Sequence, residues 1–517
     1  MDWTEELNFP RALANVRRDI AGDWYQDPWN WPEYSYAKTK KWISLVRRAN
    51  ASGICRVYPI DVPKENFGVR PAVVMEPLDR LLYQALVDSQ SSNLISDLDP
   101  WVFGWRLPRK NPNGTIYSNN STEWSRYRAS IKDFANLNEG GLKTDIVSCF
   151  SSIPMIKVIE DINKEGQGGA VRDRLTDMLL AFDRTPRRPG LPQRSKASAA
   201  LANMYLKRID PILREHDKKL PQIKRIRVFL GRGGVARWMD DIWLFGPDDA
   251  TLRAAQVDIQ NVARESSLEL NMGKTVLLHG EELMAKVLKI QHSAIDNALD
   301  ADSPDYAPLE ELLDTIIDDP ENADRTSIHF ALTRMRKHNV RSRQQKLIEV
   351  APRMPHGADH LARAFRDFGW WKGMRDWYLE YKDGPWGRME WSVARLGAMF
   401  PTRHRGATAK LRAFFADTLT GNPSLPLLSL AAQRLASWDA STAKEVIRAI
   451  VPTVEHPQER RILALALLSA RDEPKIIRSI LSDFEENALT LRMIQKNKYT
   501  PFPLSPDFRA DESTSHT

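Results

Sequence analysis

Hydrophobic and polar positions divide this chain into two stretches of different period. Between about residues 55 and 280, short apolar runs alternate with helical patterns, which predicts mixed α and β structure. Val235-Ala236 and Ile242-Trp243-Leu244-Phe245 read as the two strands of a tight hairpin, with Trp238-Met239-Asp240-Asp241 at its tip. Leu142 to Ile146 is a strand-like run that ends in one acid, Asp145, and Phe150 follows five positions later. Arg188-Pro189-Gly190-Leu191-Pro192-Gln193-Arg194-Ser195-Lys196 is a loop running into a helical Ala199 to Leu206. From about residue 282 strand signals fade and the helical period dominates. Helices are predicted at Leu309 to Ile317, His329 to His338, Ala358 to Phe368, Lys410 to Leu419, Leu425 to Leu435, Ala443 to Ile450, Arg460 to Leu468 and Ile476 to Leu481. The last five recur as helix pairs about thirty residues apart, which suggests a HEAT-like or related α-helical repeat. The breakers between them are Gly421-Asn422-Pro423, Val451-Pro452 and Asp472-Glu473-Pro474, and an irregular bundle is the alternative. The polar tail, 505–517, is expected to be disordered.

Composition narrows the class. A chain of 517 residues exceeds one ordinary core, so two or three domains are expected. No run of about 18 apolar residues suggests a membrane span. The acidic start, Met1-Asp2-Trp3-Thr4-Glu5-Glu6, argues against a secretory signal. Two cysteines, Cys55 and Cys149, exclude a disulfide framework and a Cys-rich zinc site, and a reducing cytoplasmic home is expected. A formal charge of +7 permits nucleic-acid binding without demanding it. Basic clusters at Arg106 to Lys110, Arg184 to Arg188, Arg194 to Lys196 and Lys218 to Arg227 place that charge in the mixed half. Residues 1–54 are rich in aromatics: Trp3, Trp24, Trp29, Trp31, Trp42, Tyr25, Tyr34 and Tyr36. They form either a packed arm over the neighbouring domain or a base-stacking surface. In the helical half His356 and His360 lack the glutamate of a zinc-protease helix and read as ordinary residues. The acids Asp300, Asp302, Asp305, Asp318 and Asp319 read as solvated faces or loops, not as a nuclease.

Adjacent acids between two apolar strands need positive compensation, and a divalent cation with oxygen ligands is the usual one. Three segments surround Asp240-Asp241 in order: the Asp145 strand, the Pro192-Gln193 loop and helix, and downstream Leu268-Glu269-Leu270-Asn271-Met272-Gly273-Lys274-Thr275. This order resembles the palm of reverse transcriptases, whose double-acid motif is usually Tyr-x-Asp-Asp; Trp238 stands in the tyrosine position. Upstream, Val62-Pro63-Lys64 and Gly68-Val69-Arg70-Pro71 resemble the fingers motifs, and Pro77-Leu78-Asp79-Arg80 and Phe103-Gly104-Trp105-Arg106 fit the segments between fingers and palm. The resemblance spans roughly residues 55 to 280.

The resemblance implies an α+β right-hand polymerase of fingers (55–135) and palm (136–281), followed by an all-α thumb or repeat-like domain (282–504). It implies two-metal nucleotidyl transfer with two Mg²⁺ ions, Mn²⁺ being able to substitute. Asp145 and Asp240 are the expected direct ligands, Asp241 completes or orients the cluster, and the Ile146 carbonyl adds a ligand. If Asp145 is only structural, Lys143 or Thr144 is its expected partner. Phe150 excludes a sugar 2′-hydroxyl, or packs in the core. Lys64 and Arg70 pair with the dNTP triphosphate. Gln193 lies beside the nascent base pair or template. Lys274 approaches the pyrophosphate as a general acid, or is a surface lysine. Arg106, Arg194 and Lys196 are candidate nucleic-acid contacts.

Two departures from the family pattern stand out. Arg194 replaces the usual glycine of the Pro-Gln loop and Ala199 replaces a proline. A glycine tolerates positive φ and close backbone approach, whereas the Arg194 guanidinium is suited to a template phosphate. Divergent loops with an all-helical second half resemble the bacterial abortive-infection and defence-associated reverse transcriptases. That likeness implies DNA synthesis in antiphage defence, with RNA and DNA as partners, a possible dedicated non-coding RNA, homo-oligomers and priming from a protein tyrosine. Tyr25, Tyr34, Tyr36 and Tyr499 are the candidate primers. The alternatives are a catalytically silent RNA-binding scaffold and a retron or group II intron-like enzyme.

Overall fold

The structure is a computed structural model describing residues 3–36, 55–108, 116–185, 190–220, 234–288, 290–300, 304–369, 371–403 and 408–504. Trp42, Arg109, Lys110, Arg187, Arg188, the run Lys224 to Arg227 and the tail 505–517 lie outside them. Among the described residues seven strands lie between Val57 and His279, and every element beyond them is helical. β1 (Val57–Pro63) and β2 (Val69–Met75) form an antiparallel hairpin. β3 (Val102–Phe103), β4 (Gly140–Thr144), β5 (Val235–Trp238), β6 (Asp241–Gly246) and β7 (Val276–His279) form a sheet in the order β3-β5-β6-β4-β7. Only β3 and β5 pair in parallel.

β5 and β6 are buried along nearly their whole length, which is why Ile242 to Phe245 of β6 is a continuous apolar run rather than an alternating one. Helices Asn120–Leu137, Asp210–Lys219 and Asp249–Glu265 pack against them. Beside the sheet, helix Pro77–Ile95 is largely buried, packed by helices Phe9–Asp19, Ala170–Asp183 and Lys196–Leu206. The last of these carries Ala197, Ala199, Ala200 and Ala202, all buried; small side chains let it lie close to its neighbours.

The helical half contains an inner row in which each helix touches the next: Arg325–Lys337, Ala358–Phe368, Glu390–Gly397, Leu425–Trp438 and Pro457–Ser469. Helices Ala409–Thr420, Ala440–Ile450 and Pro474–Ser482 pack outside it. The predicted helices from Leu309 onward coincide with these elements within a few residues. Among the described residues no helix is long and apolar enough to cross a membrane.

The aromatic N-terminal segment is wedged between the two halves. Trp24, Tyr25, Trp29, Trp31 and Tyr34 are all buried, so the packed-arm reading holds for them and the base-stacking reading does not. The Tyr25 hydroxyl is hydrogen-bonded to Ser429 Oγ at 2.7 Å, and Trp29 Nε1 donates to Ser469 Oγ at 3.0 Å. Arg461, fully buried, bonds both carboxylate oxygens of Glu33 at 2.7 and 2.8 Å and Asp27 at 2.7 Å. Removing one member of such a buried ion set costs about 3–5 kcal/mol.

The β1–β2 hairpin lies along the inner row. Gln458 Nε2 donates to the Met75 carbonyl at 2.9 Å and the Tyr58 hydroxyl donates to Glu459 at 2.9 Å. At its tip Asn66 N–H donates to the Glu321 carbonyl at 2.9 Å, and Phe67 stacks on Trp386 with ring centroids 5.2 Å apart. Asn66 and Phe67 both take positive φ, 54° each, so the tip holds a strained backbone against these contacts.

Candidate active site

The turn between β5 and β6 consists of Met239 and Asp240, with Trp238 paired to Asp241. Met239 takes φ 56°, as primed hairpin turns require at their first central position. β4 pairs with β6 on the other side, so Asp145, the residue after β4, is brought to the same end of the sheet. Asp145 and Asp240 lie near enough for the charge of one to act on the other. Burial, then the charge of Asp145, raises Asp240 above the ordinary carboxylate range. Lys274 Nζ lies 3.3 Å from Asp145. Asp241 turns to Lys143, 3.2 Å away, and accepts from the Tyr127 hydroxyl at 3.2 Å. The partner of Asp145 is therefore Lys274; Lys143 serves Asp241, and Thr144 is hydrogen-bonded to Thr275 at 2.7 Å. Ile146 bridges Leu270 through flanking groups: Val147 N–H donates to Glu269 and Asn271 N–H to Asp145. Among the described residues no donor takes the Ile146 carbonyl.

Beneath the turn is a network the sequence did not reveal. Arg237 is fully buried and meets both carboxylate oxygens of Asp210 at 3.0 Å. Its Nη1 donates to Asn203 Oδ1 at 3.1 Å and to the Met239 carbonyl at 3.2 Å. One guanidinium thus ties the acid turn to two helices. Trp238, in the usual tyrosine position, packs against Trp105, Trp124 and Tyr127 at 5.6, 5.0 and 5.8 Å between centroids. Gly104 makes room for the larger ring, since a Cβ there would lie 3.2 Å from it.

Basic groups face the acids from the hairpin. Lys64 Nζ donates to Ser148 Oγ at 3.4 Å. Burial, then the charges of Arg70 and Lys274, holds Lys64 below its ordinary range, while Asp145 pulls the other way. Arg70 feels both Asp145 and Asp240. Phe150 is half-buried against the core, and its carbonyl accepts from Leu191 N–H at 2.8 Å. Gly190 is required there: its φ is 76°, and a Cβ would stand 2.1 Å from the Phe150 oxygen. Gln193 donates to the Pro71 carbonyl at 3.5 Å, joining this loop to the hairpin. Arg194 keeps the glycine-like backbone, φ 59°, and lays its guanidinium over Trp24.

The remaining candidates are engaged elsewhere. Arg106 spends its guanidinium on the carbonyls of Val102 and Pro100, at 2.8 and 3.3 Å, as a loop clamp. Lys196 pairs with Asp19 through both its ammonium and its N–H, joining the helix start to the N-terminal segment. Tyr25 and Tyr34 lack the mobility expected of primers, because both are buried and burial pushes their phenols up. Tyr36 and Tyr499 are half-buried, Tyr36 beside Lys496 and Tyr499 accepting from Arg478 at 3.3 Å.

The donor set at the turn is carboxylate oxygen plus one free carbonyl, which suits a hard divalent cation. Lys274 pairs with Asp145 and Lys143 with Asp241, while Asp240 is raised by burial and by the charge of Asp145, so the residues fit a metal. Among the described residues no three acids, histidines or cysteines form a ready cage, because Asp241 turns away to Lys143 and Tyr127.

Acids gathered at a sheet hairpin and facing basic groups suit a divalent cation and a phosphate-bearing substrate. A model of the family "reverse transcriptase (RNA-dependent DNA polymerase)" matches residues 62–330, just over half the chain. The chain belongs to the reverse transcriptase family and is an RNA-directed DNA polymerase. No curated protein matches it.

Proposed function

We propose that Asp145, Asp240 and Asp241 form the catalytic acid cluster of this polymerase, with the five-stranded sheet as palm and the β1–β2 hairpin as fingers. The observation that carries the reading is the meeting of Asp145 and Asp240, 95 positions apart in sequence, opposite Lys64, Arg70 and Lys274. Asp145, Asp240 and the Ile146 carbonyl would hold Mg²⁺, with Mn²⁺ able to substitute. The ions supply activation of the 3′-hydroxyl and neutralisation of the triphosphate. Lys64 and Arg70 bind the dNTP phosphates, and Lys274, released from Asp145, meets the leaving pyrophosphate. Phe150, fixed through its carbonyl to the Gly190–Leu191 loop, stands as the 2′-hydroxyl gate. Arg237 is a positioning residue that holds the Met239 carbonyl and so the turn.

The inner helical row begins at residues 325, 358, 390, 425 and 457, a period that supports a repeat architecture. With the divergent Pro-Gln loop, it supports a bacterial antiphage-defence enzyme that binds RNA and DNA and assembles as a homo-oligomer. If priming uses a phenol, it falls to Tyr36 or Tyr499, which keep exposed surface. The test is Mg²⁺-dependent dNTP incorporation by the full chain and its Asp145→Asn and Asp240→Asn variants. Synthesis by the native chain and its loss in both variants is expected. Undiminished synthesis in both removes the acid-cluster reading.

A further inference from the structure

One ring collects three guanidiniums from three parts of the chain. Trp24, in the N-terminal segment, is 5% exposed. Arg70 from β2, Arg194 from the Pro-Gln loop and Arg325 from the first helix of the inner row lie 4.7, 4.2 and 5.6 Å from its centroid. Stacking engages the face of a guanidinium and leaves its N–H edge available. Arg325 is paired, to Asp359 at 2.6 Å and to the His356 carbonyl. Asp23, the acid whose charge acts most on Arg194, is taken by Arg80 at 2.5 Å. Among the described residues no carboxylate lies in ion-pair distance of Arg70 or Arg194. Burial, then the neighbouring charges of Arg70 and Arg325, lowers Arg194 to about 9. The Trp24 Nε1 donor is buried and without a partner among the described residues.

Two surplus positive charges with free N–H edges, enclosed by protein, call for an anion of about two charges. A terminal phosphate carries about −1.5 to −2 at neutral pH, whereas a phosphodiester carries about −1. Guanidiniums also match phosphate oxygens in pairs. Arg70 is within the influence of Asp145 and Asp240 as well as on the Trp24 ring, so this platform adjoins the acid cluster. Resting on the polymerase reading above, we infer that Arg194, stacked with Arg70 on Trp24 and backed by the paired Arg325, forms a binding site for the terminal phosphate of the incoming nucleotide. The site is shared between the polymerase and the helical half. The N-terminal segment supplies its floor, and the helical half supplies Arg325.

The test is calorimetric titration of the full-length protein with inorganic tripolyphosphate, and separately with a single-stranded oligonucleotide that has no terminal phosphate. Arg194→Gly suits it, because glycine accepts the positive φ while the charge is lost. Arg325→Gln is the second variant; as Arg325 also ties His356 to Asp359, Arg194→Gly decides if that protein does not fold. Arg194→Gly is expected to weaken tripolyphosphate binding about tenfold or more and to raise the KM for dNTP similarly, Arg325→Gln to weaken it by less, and both to change oligonucleotide affinity less than about twofold. Native tripolyphosphate affinity in Arg194→Gly, no binding by the parent protein, or loss of the oligonucleotide alone overturns the inference. Asp240→Asn is measured alongside. Retained synthesis there would defeat the acid-cluster reading, while tripolyphosphate binding would still judge the platform.

Discussion

The acid turn and the basic face opposite it are held in different ways. Asp240 sits on a two-residue turn whose carbonyl is fixed from below by Arg237, and Arg237 is itself neutralised by Asp210 and placed by Asn203. Those partners lie within 36 residues of the turn in sequence. The basic face hangs on a hairpin whose tip and edges are fixed by Glu321, Trp386, Gln458 and Glu459 of the helical half, and on a tryptophan of the N-terminal segment. One side is rigid through local charge pairing. The other exists only when distant parts of the chain have docked. The helical half is therefore part of the site's construction.

The sharpest way to break the comparison is Arg237→Leu. It leaves Asp210 buried without its cation and frees the Met239 carbonyl, and a loss of about 3–5 kcal/mol is expected by denaturant titration. A stability within about 1 kcal/mol of the parent would show that the turn does not depend on this network. Trp386→Ala tests the other side. Loss of the Phe67 stack and its buried area should cost about 2–4 kcal/mol. It should also raise the KM for dNTP more than it lowers kcat, because the fingers lose their dock. An unaltered KM would mean that the hairpin holds its place alone.

This contrast also explains what the sequence made legible. Asp145, Asp240 and Asp241 were readable because each sits at a strand end with apolar flanks, and Leu142 and Ile242 announce those strands. The helices of the second half were readable from period alone. Arg237 was not, since an arginine within Val235–Trp238 looks like an ordinary strand residue until Asp210 arrives from another helix. Trp24 was one of eight tryptophans and tyrosines in residues 1–54, and nothing local marks Arg325 as its neighbour. Arg106 and Lys196 show the converse: basic residues beside a motif that fold into carbonyl and carboxylate contacts instead of facing substrate.

Smaller effects sharpen the picture. Phe150→Ala should raise the use of ribonucleotides about tenfold in competition assays; an unchanged preference would make Phe150 a packing residue. The raised carboxyl of Asp240 gives a pH signature without any activity measurement. A carboxyl raised on folding binds its proton more tightly in the native state than in the unfolded one. Its contribution is therefore present at low pH and is lost as pH climbs from the ordinary carboxylate range toward neutrality. Mg²⁺ should then raise Tm by a few degrees more at pH 8 than at pH 5, and an equal shift at both would separate the ion from this acid. Arg194→Gly relieves a positive φ and should raise Tm by a degree or two, against about 1 kcal/mol of backbone strain; a lower Tm would show that stacking on Trp24 outweighs that strain.

The central claim is that Asp145 and Asp240 act together in nucleotidyl transfer. Single-turnover dNTP incorporation with Mg²⁺, by the parent chain and by Asp240→Asn, tests it most directly. The account predicts a loss of about a thousandfold or more, with the fold retained by circular dichroism. A folded Asp240→Asn protein that incorporates dNTP at the parent rate would contradict it.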